Sequence, residues 1–171
     1  FLGAETTGMG RTADRIVEVC AIEVDEACNE IDSFHAFINP QRKVPWFVTR
    51  IHGLNNEFLD DKPIFSDIGR DLLLFLEGSE LWAHNMSFDA GMLNAEFARN
   101  RLPTLEKVDC RLNCTLQLAR STFPGQKNSL DALLDRFAID RSERRLHGAM
   151  IDTRLLVKVY QNLVSYRTKT S

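Results

Sequence analysis

Phe1-Leu2-Gly3-Ala4-Glu5-Thr6-Thr7-Gly8 opens the chain as a short apolar strand that runs into an acidic residue. Side chains two apart lie on the same face of a strand, so Gly3 and Glu5 point the same way and Ala4 points the other. Two acids at these two positions would hold two divalent cations, and here Glu5 is the single acid. Taken alone, Glu5 is also compatible with an acid at a strand end that meets a nearby basic group.

The composition is that of an ordinary soluble domain. The chain has 171 residues, of which 44% are hydrophobic and 26% are charged, so we expect one domain with its own core. No run reaches the roughly 20 apolar residues that cross a bilayer, and we expect a cytoplasmic protein without a membrane partner. The net charge of −3 argues against a protein that coats long nucleic acids. It permits an enzyme that grips a few terminal nucleotides with bound metal ions supplying positive charge.

Four cysteines, Cys20, Cys28, Cys110 and Cys114, show neither CxxC spacing nor the density of a disulfide scaffold. Cys110 and Cys114 lie four residues apart, but no second pair of zinc ligands accompanies them. Reduced and mostly buried thiols are the expectation.

The first 40 residues predict an antiparallel meander of three strands. Leu2 to Glu5 is the first strand, and residues 8–14 form a loop with two glycines. Arg15 to Val24 alternates polar and apolar residues as a half-buried strand does. A polar turn over residues 25–30 leads to a third strand from Ile31 to Ile38, which Asn39-Pro40 ends.

Strands then alternate with helices. A helix that follows Pro63 has apolar residues at helical spacing up to Leu76, and Gly78 follows its last turn. The remaining predicted elements are a strand at Leu81–Ala83, a helix at Ser87–Asn100, a possible strand at Lys107–Cys110, and helices at about Cys114–Ser121, Ser129–Ala138 and Gly148–Ser165. Crossover units of this kind predict that the later strands join a mixed sheet in parallel.

Two further acids and a histidine lie at starts of predicted helices. Asp89 ends the segment His84-Asn85-Met86-Ser87-Phe88-Asp89, and Asp152 ends Leu146-His147-Gly148-Ala149-Met150-Ile151-Asp152. Asp89 is also compatible with a carboxylate favoured by the helix dipole, and Asp152 with a solvent-facing acid beside Arg154. Together with Glu5, these acids can converge on a two-metal phosphoryl-transfer site. His147, before its helix, suits a base that meets its water after substrate binds.

Three arginines precede His147, namely Arg141, Arg144 and Arg145. They are compatible with contacts to substrate phosphates and equally with a solvated loop. If the first interpretation holds, replacing Arg144 or Arg145 by alanine should raise a salt-sensitive KM.

These motifs resemble those of a known family. Gly3-Ala-Glu-Thr-Thr-Gly8 resembles D-x-E-T-T-G, residues 84–89 resemble H-N-x-x-F-D, and residues 147–152 match H-x-A-x-x-D. All three occur in this order in the DEDDh branch of the DnaQ-like 3′–5′ exonucleases. Residues 56–65 and 123–133 look like the catalytic domain of the proofreading epsilon subunits of bacterial DNA polymerase III. The resemblance implies an α/β, ribonuclease H-like fold with a five-stranded mixed sheet, in one exonuclease domain over residues 1–171 without a polymerase-binding or clamp-binding tail.

The resemblance also implies roles for individual residues. Two divalent ions, Mg²⁺ or Mn²⁺, are expected on Glu5, Asp89 and Asp152, with His147 as general base; Glu5 and His147 are the catalytic residues. The terminal nucleotide is expected to meet Thr6, Thr7, Gly8, His52, Asn85 and Phe88. The implied partners are a DNA 3′ end, single-stranded or frayed, and the catalytic subunit of a polymerase.

Three residues depart from the family pattern. Gly3 stands where family members have an aspartate that contacts both metals, Ala4 stands where a small polar residue is usual, and Cys114 stands where the family has an aspartate. Loss of an anion shared by two cations should weaken both metal sites. We therefore expect a 3′–5′ exonuclease with impaired hydrolysis, or else an inactive relative that serves as a DNA- or polymerase-binding module.

Overall fold

The computed structural model describes residues 1–171 and contains five strands, seven α-helices and one 3₁₀ turn. In chain order the elements are β1 (Leu2–Thr6), β2 (Ile16–Val24), β3 (Glu30–Phe37), α1 (Trp46–His52), α2 (Asn56–Leu59), α3 (Phe65–Leu76), β4 (Glu80–Ala83), α4 (Met86–Arg99), the 3₁₀ turn (Glu106–Val108), β5 (Arg111–Cys114), α5 (Thr115–Thr122), α6 (Leu130–Arg136) and α7 (Ala149–Thr170). No helix is both long and apolar enough to cross a membrane.

The predicted three-strand meander is confirmed. β1 pairs antiparallel with β2, and β2 pairs antiparallel with β3. In the β1–β2 ladder, Gly3 lies opposite Cys20 and Glu5 lies opposite Glu18. Because cross-strand partners share a face, Gly3, Glu5, Cys20 and Glu18 all point to one side of the sheet.

The second ladder is the parallel pair β4–β5, in which Glu80 pairs with Arg111 and Ala83 with Cys114. The α/β class and the mixture of antiparallel and parallel strands are confirmed. The hydrogen bonds divide the five strands into a group of three and a group of two, with β4 lying beside β1. The strand expected at Lys107–Cys110 was wrong, because the chain forms the 3₁₀ turn there, Asp109 takes a left-handed φ of 62°, and the strand begins at Arg111.

Helices cover both faces of the sheet. One face packs its apolar side chains, Leu2 and Val19 among them, against α3 and α4, where Phe65 and Phe97 are fully buried. On the other side, α7 crosses β1 and β2 and packs with α5 and α6 around Leu133 and Val159. Burial of these apolar faces is the main stabilising term of the fold.

The start of α7 is fixed by a residue from β2. α7 has no side-chain cap of its own, and the buried Glu18 carboxylate accepts a hydrogen bond of 2.8 Å from the Ala149 amide instead. The other oxygen of Glu18 contacts Nε2 of His35 at 2.7 Å. A carboxylate at a helix N-terminus satisfies an amide that would otherwise lack a partner. Glu18 therefore sets the position of α7, and of Asp152 within its first turn.

Helices α1 and α2 were absent from the sequence prediction. α1 begins after Pro45 and ends at Gly53, which takes a left-handed φ of 77°. The carbonyl of Ile51, on α1, accepts a 3.0 Å hydrogen bond from the amide of His147. α1 thereby ties down the segment that leads into α7.

Candidate active site

Three predicted acids and the predicted base line one cavity of about 280 Å³. Glu5 comes from the end of β1, Asp89 from the first turn of α4, Asp152 from the first turn of α7, and His147 from the preceding segment. Phe88 lies on the same wall. The fold thus brings together residues from three parts of the sequence that lie more than 60 positions apart.

Glu5 and Asp89 are acids without a basic partner. The pKa of Glu5 is raised to about 8, mainly by burial and also by the charges of Asp152, Glu18 and Asp89, which outweigh the lowering by Arg144. The pKa of Asp89 is also raised to about 8, because burial raises it by more than backbone hydrogen bonds, including one from Ala4, lower it. Both groups therefore favour the neutral form until a cation approaches.

Asp152, by contrast, is paired with Arg144. The Nε of Arg144 donates to Oδ1 of Asp152 at 2.6 Å, and a terminal nitrogen donates to Oδ2 at 3.1 Å. The same terminal nitrogen donates to Nδ1 of His147 at 2.8 Å, and the other donates to Asp131. Nδ1 of His147 lies 3.4 Å from Oδ2 of Asp152. The solvent-facing Asp152 beside Arg154 that the sequence left open is not observed, since Arg154 binds Glu30.

A metal centre is not complete in this arrangement. No group of three His, Cys, Asp or Glu side chains converges closely enough to hold a metal ion. Position 3 contributes no donor because it is glycine, and both oxygens of Asp152 are engaged by Arg144. Carboxylate oxygens are the right donor type for Mg²⁺ or Mn²⁺, but as placed they do not fit two ions.

The space beside Gly3 is already filled. A Cβ atom at position 3 would lie 2.5 Å from Oγ1 of Thr153 and 3.5 Å from the carbonyl oxygen of Ala149. Thr153 is buried, and its hydroxyl donates to that same carbonyl at 2.5 Å. The obstacle to a side chain at position 3 is therefore the Thr153 hydroxyl, since the distance to the backbone of α7 is an ordinary van der Waals contact.

The expected nucleotide-contacting residues divide into two groups. Phe88 lines the cavity of the acids, whereas Thr6, Thr7, Gly8, His52 and Asn85 do not. The Thr7 hydroxyl donates to Asp14 at 2.7 Å, and the Thr6 hydroxyl donates to the carbonyl of Gly8 at 2.6 Å. Asn85 borders a separate groove together with Arg11.

His52 is held inside the protein by both ring nitrogens. Nδ1 accepts from the Leu54 amide at 3.0 Å, and Nε2 donates to the carbonyl of Thr6 at 3.2 Å. Burial lowers the pKa of His52, so the ring is neutral. Its contacts in this structure support the loop after β1.

Sequence reasoning did not anticipate how Arg144 and Asp131 act in the site. The three arginines before His147 were treated alike, but only Arg144 turns inward, with a side chain 8% exposed. Asp131 lies at the start of α6, within residues 123–133, which the sequence marked only as resembling the family. The one feature of the sequence that could have indicated this role is the position of Arg144, three residues before His147 and eight before Asp152.

Comparison with known proteins identifies the family. The sequence model of the exonuclease family RNase T matches residues 1–160. This chain belongs to that exonuclease family. The DNA polymerase III epsilon subunit of Rickettsia conorii is 45% identical over 174 residues, covering 98% of this chain and 74% of that protein. The epsilon subunit of Buchnera aphidicola is 40% identical over 165 residues, covering 94% of this chain and 70% of that protein.

Solved exonuclease structures share the fold. Exonuclease X in complex with 5′ overhanging duplex DNA matches with a TM-score of 0.70 at 25% identity, covering 96% of this chain and 89% of that one. A complex of exonuclease I with a C-terminal SSB segment matches with a TM-score of 0.84 at 16% identity, covering 99% of this chain and 41% of that one. The ribonuclease H-like fold expected from the motifs is confirmed for this exonuclease.

Proposed function

We propose that this domain, over residues 1–171, is a 3′–5′ exonuclease of the epsilon type that removes nucleotides from DNA 3′ termini, with hydrolysis strongly reduced by Gly3. The observation that carries the proposal is the meeting of Glu5, Asp89, Asp152 and His147 at one cavity. Relatives named as DNA polymerase III epsilon subunits over most of the chain support the DNA substrate and a role in proofreading. They also support a polymerase catalytic subunit as partner and the cytoplasm as location.

Each residue has a proposed part in this activity. Phe88, on the cavity wall, packs against the terminal nucleotide, while Thr6, Thr7, Gly8, His52 and Asn85 extend the binding surface beyond the cavity. His147, whose side chain is 44% exposed, takes the proton of the attacking water on the ring nitrogen that carries no hydrogen. Glu5, Asp89 and Asp152 are the proposed ligands of Mg²⁺ or Mn²⁺, and the bonds of Asp152 to Arg144 oppose its part in metal binding.

Weak hydrolysis follows from the missing carboxylate. An anion shared by two cations offsets their repulsion, and glycine supplies none. Misplacement of a nucleophile by about 1 Å costs roughly 100-fold in rate. We therefore expect this domain to be at least about 100-fold slower than a relative with an aspartate at the equivalent of position 3.

The test is release of mononucleotides from a 3′-labelled single strand, measured with Mg²⁺ and with Mn²⁺. The expected result is slow release that depends on added metal and is abolished by Asp89→Asn. Asp71→Asn, a change at an exposed position of α3, is the matched control and should leave the rate unchanged. Equal release by the wild type and Asp89→Asn would refute the assignment of this cavity.

A second candidate function is a DNA- or polymerase-binding module without catalysis. The filled space beside Gly3 and the pairing of Asp152 with Arg144 favour it. It predicts that a fluorescent single strand is bound, as seen by anisotropy, while no mononucleotide is released with either metal. Binding together with metal-dependent release would exclude it.

A further inference from the structure

The side chain of Arg144 uses every nitrogen of its guanidinium inside the cavity of acids. Two nitrogens bind the two oxygens of Asp152, one of these also binds His147, and the third binds Asp131. Arg144 and the two histidines His84 and His147 are the only basic residues that line this cavity. We infer that Arg144 is an internal cation that competes with divalent metal ions for Asp152.

The competition follows from the geometry of the carboxylate. A bidentate arginine–carboxylate pair engages both oxygens, and a metal ion needs at least one of those oxygens as a ligand. A guanidinium and a divalent cation also repel each other when they share an anion. Arg144 therefore opposes metal binding at Asp152, and each cation weakens the binding of the other.

The same side chain also engages the proposed base. A guanidinium can only donate hydrogen bonds, so Nδ1 of His147 is the acceptor in the 2.8 Å contact with Arg144. A neutral ring then carries its proton on Nε2, and the lone pair of Nδ1 is already used. Withdrawal of Arg144 would thus release a metal ligand and the base in one movement.

Arg144 is positioned to move in this way. It belongs to the segment between α6 and α7, where its amide donates to the carbonyl of Arg141. Asp131, its third partner, is half exposed, so the guanidinium can turn toward solvent while keeping one anion. The adjacent Arg145 is exposed and has no hydrogen-bond or ion-pair partner, which makes it the matched control.

This inference rests on the proposed function for the identity of the ligands, but its test does not need activity. Titration calorimetry of the full chain with Mn²⁺ compares the wild type, Arg144→Ala, Arg144→Gln and Arg145→Ala. The expected result is a dissociation constant at least tenfold lower for both Arg144 variants and unchanged for Arg145→Ala. Arg144→Lys, which keeps the charge and loses the bidentate pairing, should bind with intermediate affinity.

A second measurement separates competition from a general loosening of the fold. Nitrogen-15 spectra of the histidine rings should show His147 protonated at Nε2 in the wild type and a mixture of tautomers in Arg144→Gln, while His52 is unchanged. Mn²⁺ affinity in Arg144→Ala and Arg144→Gln equal to or weaker than wild type would overturn the inference, as would the absence of Mn²⁺ binding in all four proteins. Tighter Mn²⁺ binding without any nuclease activity would uphold it while rejecting the proposed function.

Discussion

The substitution Gly3→Asp is expected to destabilise the fold and not to give tight metal binding unless Thr153 is replaced by alanine at the same time. The backbone at Gly3 does not need a left-handed φ, so the obstacle is the neighbouring helix, whose Thr153 Oγ1 would lie 2.5 Å from the new Cβ. Contacts that close force a displacement of one of the two groups. The Thr153 hydroxyl binds the carbonyl of Ala149, so turning it away from position 3 would cost that hydrogen bond.

The loss of stability caused by Gly3→Asp can be estimated from the cost of crowding a packed site. Inserting atoms into a well-packed interior costs about 1–3 kcal/mol, so Gly3→Asp should lower the free energy of unfolding by that amount. Thr153→Ala removes the obstructing hydroxyl and methyl group and should cost about 1 kcal/mol or less by itself. The double variant should be more stable than Gly3→Asp, which means a coupling energy of about 1–3 kcal/mol. Each kcal/mol corresponds to about 2–4 °C in Tm for a chain of this size.

The assay is a double-mutant cycle of urea denaturation on four proteins, followed by Mn²⁺ calorimetry on the same four. The double variant should bind Mn²⁺ at least tenfold more tightly than the wild type, because it alone adds a carboxylate without a clash. Leu118→Ala, on α5 and away from Gly3, serves as the control partner, and its effect should add to that of Gly3→Asp. Additivity within about 0.5 kcal/mol for the Thr153 cycle would refute the reasoning.

Three further predictions concern buried carboxylates. Arg15→Ala should lower the free energy of unfolding by about 1–3 kcal/mol in urea denaturation, because Arg15 binds both oxygens of Glu96, which is 1% exposed, and Arg99 binds only one of them. A loss no larger than that of the exposed-surface control Arg70→Ala would contradict it. Glu18→Ala should lower the free energy of unfolding by about 1–3 kcal/mol. It should also increase hydrogen exchange at the amides of the first turn of α7, because Glu18 binds the Ala149 amide. Exchange protection equal to that of the wild type would count against the positioning role of Glu18. In metal-free buffer, the free energy of unfolding should fall as pH rises from about 4 to about 8. The reason is that the pKa values of Glu5 and Asp89 are raised to about 8 in the folded state, while unfolded carboxyls titrate near 4. Asp89→Asn should reduce this fall by at least about 1 kcal/mol, and a pH profile identical to that of the wild type would refute the prediction.

The sequence could predict much of the fold because local patterns report it directly. The segments 15–24 and 31–38 predict β2 and β3 to within one residue of their observed limits. The expectation that the first of these strands is half-buried was wrong, because α7 covers its second face and residues 16–22 are all buried. The helix before Gly78 and the long final helix follow from apolar residues at helical spacing. The short α1 has only seven residues, about two turns, which is too few for a clear period.

The misplaced strand shows where pattern alone fails. Polar and apolar residues alternate without interruption over Lys107-Val-Asp-Cys-Arg-Leu-Asn-Cys114, so either half is compatible with a strand. Only the pairing of residues 111–114 with β4 selects the second half, because a strand is completed by hydrogen bonds to a neighbour. The first half instead forms the 3₁₀ turn.

For the site, the sequence by itself determined which chemical groups are present and the family to which the chain belongs. The motifs marked Glu5, Asp89, Asp152 and His147, and they marked position 3 as the place where a carboxylate is missing. Only the tertiary structure decided that Thr153 fills the space beside Gly3 and that Arg144 pairs with Asp152. The reason is physical, because a motif fixes only the identity of side chains along the chain. The contact between Gly3 and Thr153 and the pairing of Arg144 with Asp152 depend on how separate segments meet in space.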